Sequence, residues 1–330
     1  MRSILVTGGA GYIGSQTVLH FQDLGWRVVV VDDLSTGHAE FAERADAFHR
    51  ADIRDREAVT ELLRSERFDG VVHCAAKSLV PESVRDPLTY YHTNVLGAAN
   101  LVSACLEAPA PAPAVVFSSS AAVYGEGPIQ PLTEELAPDP VNPYGFTKLA
   151  VERLLRHSDA AYGLRSVSLR YFNAAGADPQ LRVGERHEPE THVIPNLIRA
   201  ALDPGCGPFR IFGTDYDTPD GTCVRDYVHV CDVAEAHRLA LERLWSGGPS
   251  DVLNLGTGVG VSVRELLDGF ARVLGREVDA EEAPRRAGDP PVLTADASRA
   301  EAVLHWTPRR DLTAILESAL AWERKERGEP

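Results

Sequence analysis

Short runs of apolar residues alternate with longer segments of helical periodicity along the first 173 residues of the chain. Helical patterns cover residues 15–24, 56–65, 90–107 and 144–157. Near-continuous apolar strands between helices are typical of parallel sheets that are covered on both faces. The pattern therefore predicts an α/β fold with a Rossmann-type, doubly wound parallel sheet. The predicted strands of that sheet are residues 3–7, 27–31, 70–73, 114–117 and 167–171.

The pattern changes at about residue 174. Residues 174–224 are rich in proline, glycine, aspartate and histidine, with one clear helical pattern at 194–202. We therefore predict a smaller mixed α/β C-terminal substrate domain that is discontinuous in sequence. Residues 1–173 plus about 225–255 would form the Rossmann-type domain, and about 174–224 plus 256–330 the second. Further predicted elements are strands at 226–230 and 251–255 and helices at about 233–244, 263–274 and 312–324.

The composition narrows the classes of partner. A formal net charge of −15 at pH 7 argues against nucleic acid, because proteins that bind it usually carry a basic patch. The five cysteines are odd in number and form no C-x-x-C pair, which fits a reducing cytoplasm. No apolar run approaches the ~20 residues that a membrane-spanning helix needs, and the N-terminus lacks a signal-peptide pattern. These observations predict a cytoplasmic protein without a nucleic-acid or membrane partner.

Three candidate binding segments directly follow predicted strands. Gly8, Gly11 and Gly14 form a strand-to-helix turn, where glycines let the backbone approach a pyrophosphate at the helix N-terminus. Asp32 follows the second strand, close to the spacing of a carboxylate that binds a ribose, and it favours NAD over NADP. The serines at 118–120 end a central strand, at the sheet edge where ligands bind in such folds. Their alternative interpretation is an ordinary turn and helix cap.

A tyrosine and a lysine share one face of a predicted helix start. Asn142 suits the cap and Pro143 the first helical position, so that Tyr144 and Lys148 lie four residues apart in the first turns. A lysine ammonium beside a tyrosine favours the phenolate, which then serves as a base near neutral pH. Taken alone, this spacing is also common on ordinary surface helices. The glycine loop, Asp32 and the serine-ended strand favour the catalytic interpretation.

The chain resembles the extended short-chain dehydrogenase/reductase family, and within it the UDP-glucose 4-epimerases. The resemblance covers essentially the whole chain, in blocks that keep their order. The blocks are TGGAGYIGS at the start, ESVRDPLTYYHTN ending at residue 94, SSSAAVYG at 118–125, NPYGFTK at 142–148, LRYFNAAGA at 169–177, DGTCVRDYVHV at 220–230, NLGTGVGVSV at 254–263 and RRAGDPP at 285–291.

The resemblance implies an isomerase of galactose metabolism, a homodimer that interconverts UDP-glucose and UDP-galactose through a 4-keto intermediate. Its catalytic residues would be Ser120, Tyr144 and Lys148. NAD would bind in the first domain, to Gly8, Gly11, Tyr12, Ile13, Gly14, Asp32, Asp33, Leu34, Ser35, Thr36, Gly37, Asp52, Ile53, Cys74, Ala75, Ala76, Lys77, Ser78, Thr93, Ser118, Tyr144, Lys148 and Phe172. The UDP-sugar would bind mainly in the second domain, to Ser120, Tyr144, Asn173, His192, Val193, Arg210, Ile211, Phe212, Arg225, Arg286, Asp289 and Leu293.

The sequence leaves several alternative functions open. Leu293 occupies a position in the family where the size of the side chain is thought to decide whether N-acetylated sugars are accepted. Leucine is smaller than an aromatic residue there and larger than a small one, so it does not indicate either choice. The sugar is therefore open among UDP-glucose, UDP-N-acetylglucosamine, UDP-pentose and UDP-glucuronate. A nucleotide-sugar dehydratase is a further alternative, although such enzymes place carboxylates beside the serine, where Ser119 and Ala121 stand here. A dinucleotide-sensing regulator is disfavoured by the intact Tyr144 and Lys148. Lys77 lies one place earlier than in part of the family, which leaves its role open.

The histidines of residues 187–192 suggest a metal site only superficially. Pro189 prevents the regular helix that would align His187 and His192 as zinc ligands, and the sequence places no third ligand. We therefore predict no metal.

Overall fold

The computed structural model describes residues 1–127, 130–286 and 289–329. Within them the strands are β1 Ser3–Thr7, β2 Arg27–Asp32, β3 Ala47–Arg50, β4 Gly70–His73, β5 Ala114–Ser120, β6 Ser166–Tyr171, β7 Asn173–Ala175, β8 Phe209–Phe212, β9 Val224–His229, β10 Asp251–Leu255, β11 Gly260–Ser262, β12 Ala280–Ala283 and β13 Val292–Leu293.

The α-helices are α1 Tyr12–Asp23, α2 Ala39–Ala42, α3 Arg56–Ser65, α4 Val80–Arg85, α5 Pro87–Tyr90, α6 Gly97–Glu107, α7 Pro143–Tyr162, α8 Val193–Leu202, α9 Val230–Trp245, α10 Val263–Leu274, α11 Ser298–Leu304 and α12 Leu312–Glu326. Short 3₁₀ turns cover Ala121–Tyr124 and Pro204–Cys206, and a π-helical segment covers Tyr91–Leu96. Within the described residues, no helix is both long and apolar enough to cross a membrane.

The large sheet has seven strands in the order β10-β6-β5-β4-β1-β2-β3, and every neighbouring pair is parallel. Successive side chains of a strand point to opposite faces. Ile4 and Val6 therefore pack in a core with α1 and α9, while Leu5 packs with α3, α6 and α7 on the other face. Both faces are covered by helices, so the predicted doubly wound Rossmann-type sheet is confirmed.

The small sheet is built around β9, which pairs with β7, β11 and β13, while β8 and β12 form a separate parallel pair. Helices α8, α10 and α12 contribute to one apolar core beside these strands. The predicted strand at 226–230 is therefore present as β9, but it pairs in the small sheet, whereas β10 joins the large one. The division into an NAD-binding and a UDP-sugar-binding domain stays a prediction.

The predicted single helix over residues 90–107 is wrong in its middle. The helical path runs from α5 into α6, but Tyr91–Leu96 winds as a π-helix. A π-turn inserts an extra residue per turn and often lies at a functional site. Here it contains Asn94, whose side chain is 2% exposed and bonds to two other segments. The apolar positions are too few on either side of this turn for periodicity alone to locate it within the helical pattern.

Candidate active site

The glycine loop between β1 and α1 is held against the end of β4. Gly8 has a φ of 72°, and a Cβ there would lie 2.5 Å from the backbone nitrogen of Ala75, so only glycine fits. Gly11 caps α1 without a side-chain bond, and the first helical bond runs from Ser15 N to the Gly11 carbonyl. The earlier N–H groups of the first turn are therefore the donors that a helix start offers to an anion. This geometry fits a dinucleotide pyrophosphate.

Asp32 lies at the carboxyl end of β2 and is held rigidly. Its two carboxylate oxygens accept from Ala10 N at 3.0 Å and from Leu34 N at 2.8 Å. Burial raises the pKa of Asp32, and these two backbone bonds oppose that rise. Leu34 has a φ of 61°, a strained value for a leucine, which turns the backbone sharply after the strand. The position and its fixed orientation suit a carboxylate that binds a ribose.

The three serines that end β5 have three different environments. Ser118 Oγ lies 3.0 Å from Cys74 Sγ and 3.2 Å from His237 Nε2. Ser119 points to the other face and donates to Glu152. Ser120 accepts from Ala122 N at 3.1 Å, so it caps the following 3₁₀ turn. Ser118 and Ser120 also line a cleft at the carboxyl ends of the strands. Ser120 is therefore both a cap of the following turn and a candidate site residue.

Tyr144 and Lys148 share the first turns of α7, as their spacing predicted. Asn142 caps this helix by accepting from Gly145 N at 2.9 Å, and Pro143 is in its first turn. Lys148 is 4% exposed, and its ammonium lies 5.7 Å from the Tyr144 ring centroid and donates to the Ser118 carbonyl at 2.7 Å. The helix and β5 thus place both side chains at the same strand end.

The pKa values of this pair differ from the prediction. Burial raises the pKa of Tyr144, and the hydrogen bond with Ser120 only partly opposes the rise. Burial also lowers the pKa of Lys148 to about 8. The predicted depression of the tyrosine pKa is therefore absent in the chain alone. The physical reason is that an enclosed site penalises every isolated charge, while the lysine ammonium is directed to a carbonyl rather than to the phenol.

Asn94 is a residue of this site that the sequence analysis did not single out. Its Oδ1 accepts from Lys77 N at 2.8 Å, and its Nδ2 donates to Lys77 O and Thr147 Oγ1, both at 3.0 Å. Thr147 in turn donates to the Tyr144 carbonyl at 2.7 Å. Asn94 therefore ties the loop after β4 to the helix that carries the tyrosine. Its place in the block ending at residue 94 was the available signal.

One cleft runs along the carboxyl ends of β1, β4, β5 and β6. It brings together the predicted residues Gly8, Gly11, Tyr12, Ile13, Gly14, Thr36, Cys74, Ala76, Lys77, Ser78, Ser118, Ser120, Tyr144, Lys148, Phe172, Asn173, His192 and Val193. Lys77 forms an ion pair with Glu82 at 3.2 Å, and both side chains line the cleft. Other lining residues that the sequence analysis did not assign are His38, Tyr171, Glu185, Arg186 and Tyr227.

Other predicted contacts do not line this cleft. Ile53 and Ile211 are core side chains, 4% and 3% exposed. Asp52 is bound by Arg54 in a two-pronged ion pair. Arg210 forms a surface pair with Glu281 at 2.8 Å. The remaining predicted residues outside the cleft lining are Asp32, Asp33, Leu34, Ser35, Gly37, Ala75, Thr93, Phe212, Arg225, Arg286, Asp289 and Leu293. Their roles stay predictions.

A second group of predicted residues gathers at the small sheet. Arg225 on β9 lies 3.7 Å from Asp289 and donates to the Pro290 carbonyl at 2.9 Å. The Arg286 guanidinium lies 4.0 Å from the centre of the Phe212 ring. Leu293 pairs with Arg225 across β9 and β13 and packs in the same apolar cluster as Phe172 of the cleft. The intervening Ala287 and Gly288 of this predicted segment lie outside the described residues.

The segment 185–192 brings together four potential metal ligands. One ligand atom from each of Glu185, His187, Glu190 and His192 lies within 4.8 Å of the others. The prediction that the sequence places no third ligand is therefore wrong. The two histidines do not form a helical pair, because an irregular loop folds Glu185 and Glu190 around them.

The chain is similar to known proteins over most of its length. The sequence matches the model of the NAD dependent epimerase/dehydratase family over residues 4–256. The chain is 50% identical over 320 residues to the UDP-glucose 4-epimerase of Rhizobium meliloti (strain 1021). This match covers 97% of this chain and 96% of the relative.

Solved structures agree with this. A UDP-glucose 4-epimerase from Brucella ovis in complex with NAD has a TM-score of 0.92 and 44% identity, covering 97% of this chain and 98% of that one. The Stenotrophomonas maltophila UDP-glucose-4-epimerase with bound NAD and formylated UDP-arabinopyranose has a TM-score of 0.94 and 41% identity, covering 99% of each chain. Identity at this level over the whole chain, on the same fold, means that the protein belongs to the NAD dependent epimerase/dehydratase family, among the UDP-glucose 4-epimerases.

Proposed function

We propose that the protein interconverts UDP-glucose and UDP-galactose through a 4-keto intermediate, with tightly bound NAD. The observation that carries the proposal is that the glycine loop, Ser120, Tyr144 and Lys148 line the same cleft. A reaction that removes a hydride from one carbon and then returns it needs a cofactor-binding site next to an acid–base side chain, in one enclosed space. The relatives that share 50% and 44% identity with this chain support the same activity.

We assign separate roles in the reaction to Tyr144, Ser120 and Lys148. Tyr144 takes the proton from the sugar 4-hydroxyl and later returns it, and Ser120 donates a hydrogen bond to the same oxygen. NAD held along the glycine loop would supply the acceptor and later the donor of the hydride at sugar C4, together with a positive charge in the cleft. Lys148 adds a second cation, which lowers the cost of forming the phenolate. Burial of the cleft excludes water from the ketone.

Turning the keto sugar over requires a site that holds the nucleotide firmly and the hexose loosely. Arg225 and Arg286 supply guanidinium groups, which suit a diphosphate because they form forked, charge-assisted hydrogen bonds. Asn173, His192 and Val193 line the cleft that also contains Ser120 and Tyr144. They are proposed as nucleotide contacts, whereas Ser120 and Tyr144 are the proposed contacts to the sugar.

The test is turnover of a panel of UDP-sugars by purified protein without added cofactor. We expect UDP-galactose and UDP-glucose to interconvert, with NAD retained on the protein at about one per chain. UDP-N-acetylglucosamine, a UDP-pentose and UDP-glucuronate in the same panel examine the alternative sugars. Stoichiometric consumption of external NAD would contradict the proposal and indicate a net dehydrogenase. Release of water and a stable keto product would indicate a dehydratase.

We also propose that the protein is a homodimer and that it acts in the cytoplasm. The support for dimerisation is a set of exposed apolar side chains on neighbouring helices of one face. Val84 is 61% exposed, Leu88 73%, Leu96 47% and Phe146 47%. Helix α7 contacts α4, α5 and the π-helical segment, so these exposed side chains belong to neighbouring elements. Contiguous apolar surface of this kind marks an interaction site.

Light scattering is expected to give twice the mass of one chain, and Leu88→Glu to shift the protein toward the monomer, because a carboxylate would be buried at the interface. Leu24→Glu is the matched control, since Leu24 is also exposed, at 47%, but lies at the end of α1. A monomeric wild-type protein, or an equal effect of both substitutions, would contradict this interface.

A further inference from the structure

Residues 185–192 form an irregular loop between β7 and α8 that borders the cleft, and its polar groups are incompletely satisfied. Glu190 has a side chain that is 1% exposed. Its Oε1 accepts from Thr191 N at 2.7 Å and His192 N at 2.8 Å, whereas its Oε2 is buried without a hydrogen-bond partner. His187 Nδ1 is buried without a partner as well. Two orphaned ligand-type atoms in one place need an explanation, because such groups are costly to bury.

The two orphaned atoms face each other together with a third. His187 Nδ1 lies 3.6 Å from Glu190 Oε2 and 3.4 Å from Glu185 Oε1. His192 Nδ1 contacts Glu185 Oε1 and lies 4.0 Å from Glu190 Oε1. Metal–ligand bonds of about 2.0–2.2 Å in a tetrahedral zinc site put neighbouring ligand atoms roughly 3.3–3.5 Å apart. The spacings around His187 match those of ligands around a small cation, whereas His192 Nδ1 and Glu185 Oε1 are in hydrogen-bond contact and would have to move apart to share one.

We propose that Glu185, His187, Glu190 and His192 form a binding site for a divalent zinc-like cation. Two imidazoles and two carboxylates are a donor set that suits zinc, whereas magnesium and calcium prefer oxygen ligands alone. Two carboxylates and two neutral imidazoles balance the charge of Zn²⁺. The hydrogen bonds that Glu190 Oε1 accepts from the backbone hold its carboxylate in place, as the outer contacts of metal ligands commonly do.

The position of the cluster indicates a structural role for the cation. His192 caps α8, and Glu185 accepts at its backbone carbonyl from the Trp322 indole at 3.1 Å. The His187 ring stands edge-on to Tyr12 of the glycine loop, with ring centroids 6.4 Å apart. A cation at this point would join the loop, the start of α8 and the first turn of α1. His192 is also a proposed nucleotide contact, but the zinc content of the purified chain can be measured without substrate and without reference to turnover.

The competing explanation is an ion-pair cluster in which both histidines are protonated and satisfy the two carboxylates. It uses the same four side chains but needs no metal. The two explanations differ in one measurable quantity, the amount of zinc that the purified chain binds.

The test uses the full chain without a polyhistidine tag, stripped with a chelator and titrated with Zn²⁺. We expect one zinc per chain by elemental analysis, and with Co²⁺ the intense visible absorption of a four-coordinate site. Glu190→Gln and His187→Gln are each expected to weaken zinc binding by more than about tenfold. Glu188→Gln, an exposed neighbour outside the cluster, is the matched control and should bind zinc as the wild-type chain does.

Circular dichroism shows whether each variant is folded, and the wild-type titration itself needs no substitution. Less than one-tenth of an equivalent of zinc on the wild-type chain overturns the proposal and supports the ion-pair cluster. Equal zinc binding by Glu190→Gln and Glu188→Gln also overturns it, because the metal would then lie elsewhere.

Discussion

Replacing Tyr144 with phenylalanine is expected to lower kcat for UDP-galactose by about 10²–10⁴-fold, the range that a positioned proton-transfer group contributes. The substitution removes one oxygen and keeps the ring, so the chain should stay folded and retain NAD. Tyr144 lies in the cleft beside Ser120 and Lys148, and its hydroxyl is the group proposed to exchange a proton with the sugar. The loss should therefore fall on kcat rather than on cofactor content.

The raised pKa of Tyr144 makes this prediction more specific. Burial raises its pKa in the chain alone, so the phenol is protonated at neutral pH and is a poor base in that state. The phenolate has to be stabilised by positive charge that enters or lies in the cleft. Lys148 is one such charge, although burial lowers its own pKa to about 8. We therefore expect Tyr144 to lose its proton only when the cofactor and the substrate are bound in the cleft.

The measurement is kcat together with the NAD released on denaturation. Tyr162→Phe is the matched control, because Tyr162 lies on the same helix but is 69% exposed, and it should leave kcat unchanged. Wild-type kcat in Tyr144→Phe would assign the proton transfer to another group. A loss of NAD in parallel with activity would mean that the tyrosine serves cofactor binding instead.

Local signals in the sequence predicted the framework of this site. The cap at Asn142, the proline after it and the i, i+4 pair all lie within seven residues, and α7 begins where they indicate. The signals for the glycine turn and for Asp32 are also local, because the end of a strand and the start of a helix determine the geometry of these residues. Consecutive apolar residues such as Ile4 and Leu5 indicated a sheet buried on both faces, and the two side chains do pack in the cores on opposite faces.

Features that depend on distant residues were not predictable in this way. Asn94 gains its role only because a π-turn directs it toward Lys77 and Thr147, 17 and 53 residues away. The pKa of Tyr144 depends on how completely other segments enclose it. The ligands around His187 come together through an irregular loop path, which carries no periodic signal. In each case the decisive quantity is a three-dimensional distance or burial that sequence spacing does not contain.

A buried ion pair behind the catalytic strand gives the largest expected effect on stability. Arg170 on β6 and Glu152 on α7 have side chains only 5% and 4% exposed, and two hydrogen bonds of 2.8 and 2.6 Å join them. Glu152 also accepts from Ser119 at 2.5 Å, and Arg170 donates to Tyr124 Oη at 2.9 Å. This network ties α7, which carries Tyr144 and Lys148, to β5 between Ser118 and Ser120.

Glu152→Gln is expected to lower the free energy of unfolding by about 3–5 kcal/mol, because it leaves the Arg170 guanidinium buried without a compensating charge. Urea unfolding at pH 7 measures this. Glu107→Gln is the control, since its partners Arg56 and Arg64 are 63% and 62% exposed, and exposed pairs contribute about 0–1 kcal/mol. Removing both charges with Arg170→Met and Glu152→Leu should recover much of the loss, because an apolar pair leaves no buried charge. Equal destabilisation by Glu152→Gln and Glu107→Gln would contradict the argument and mean that water reaches Arg170 between α7 and β6.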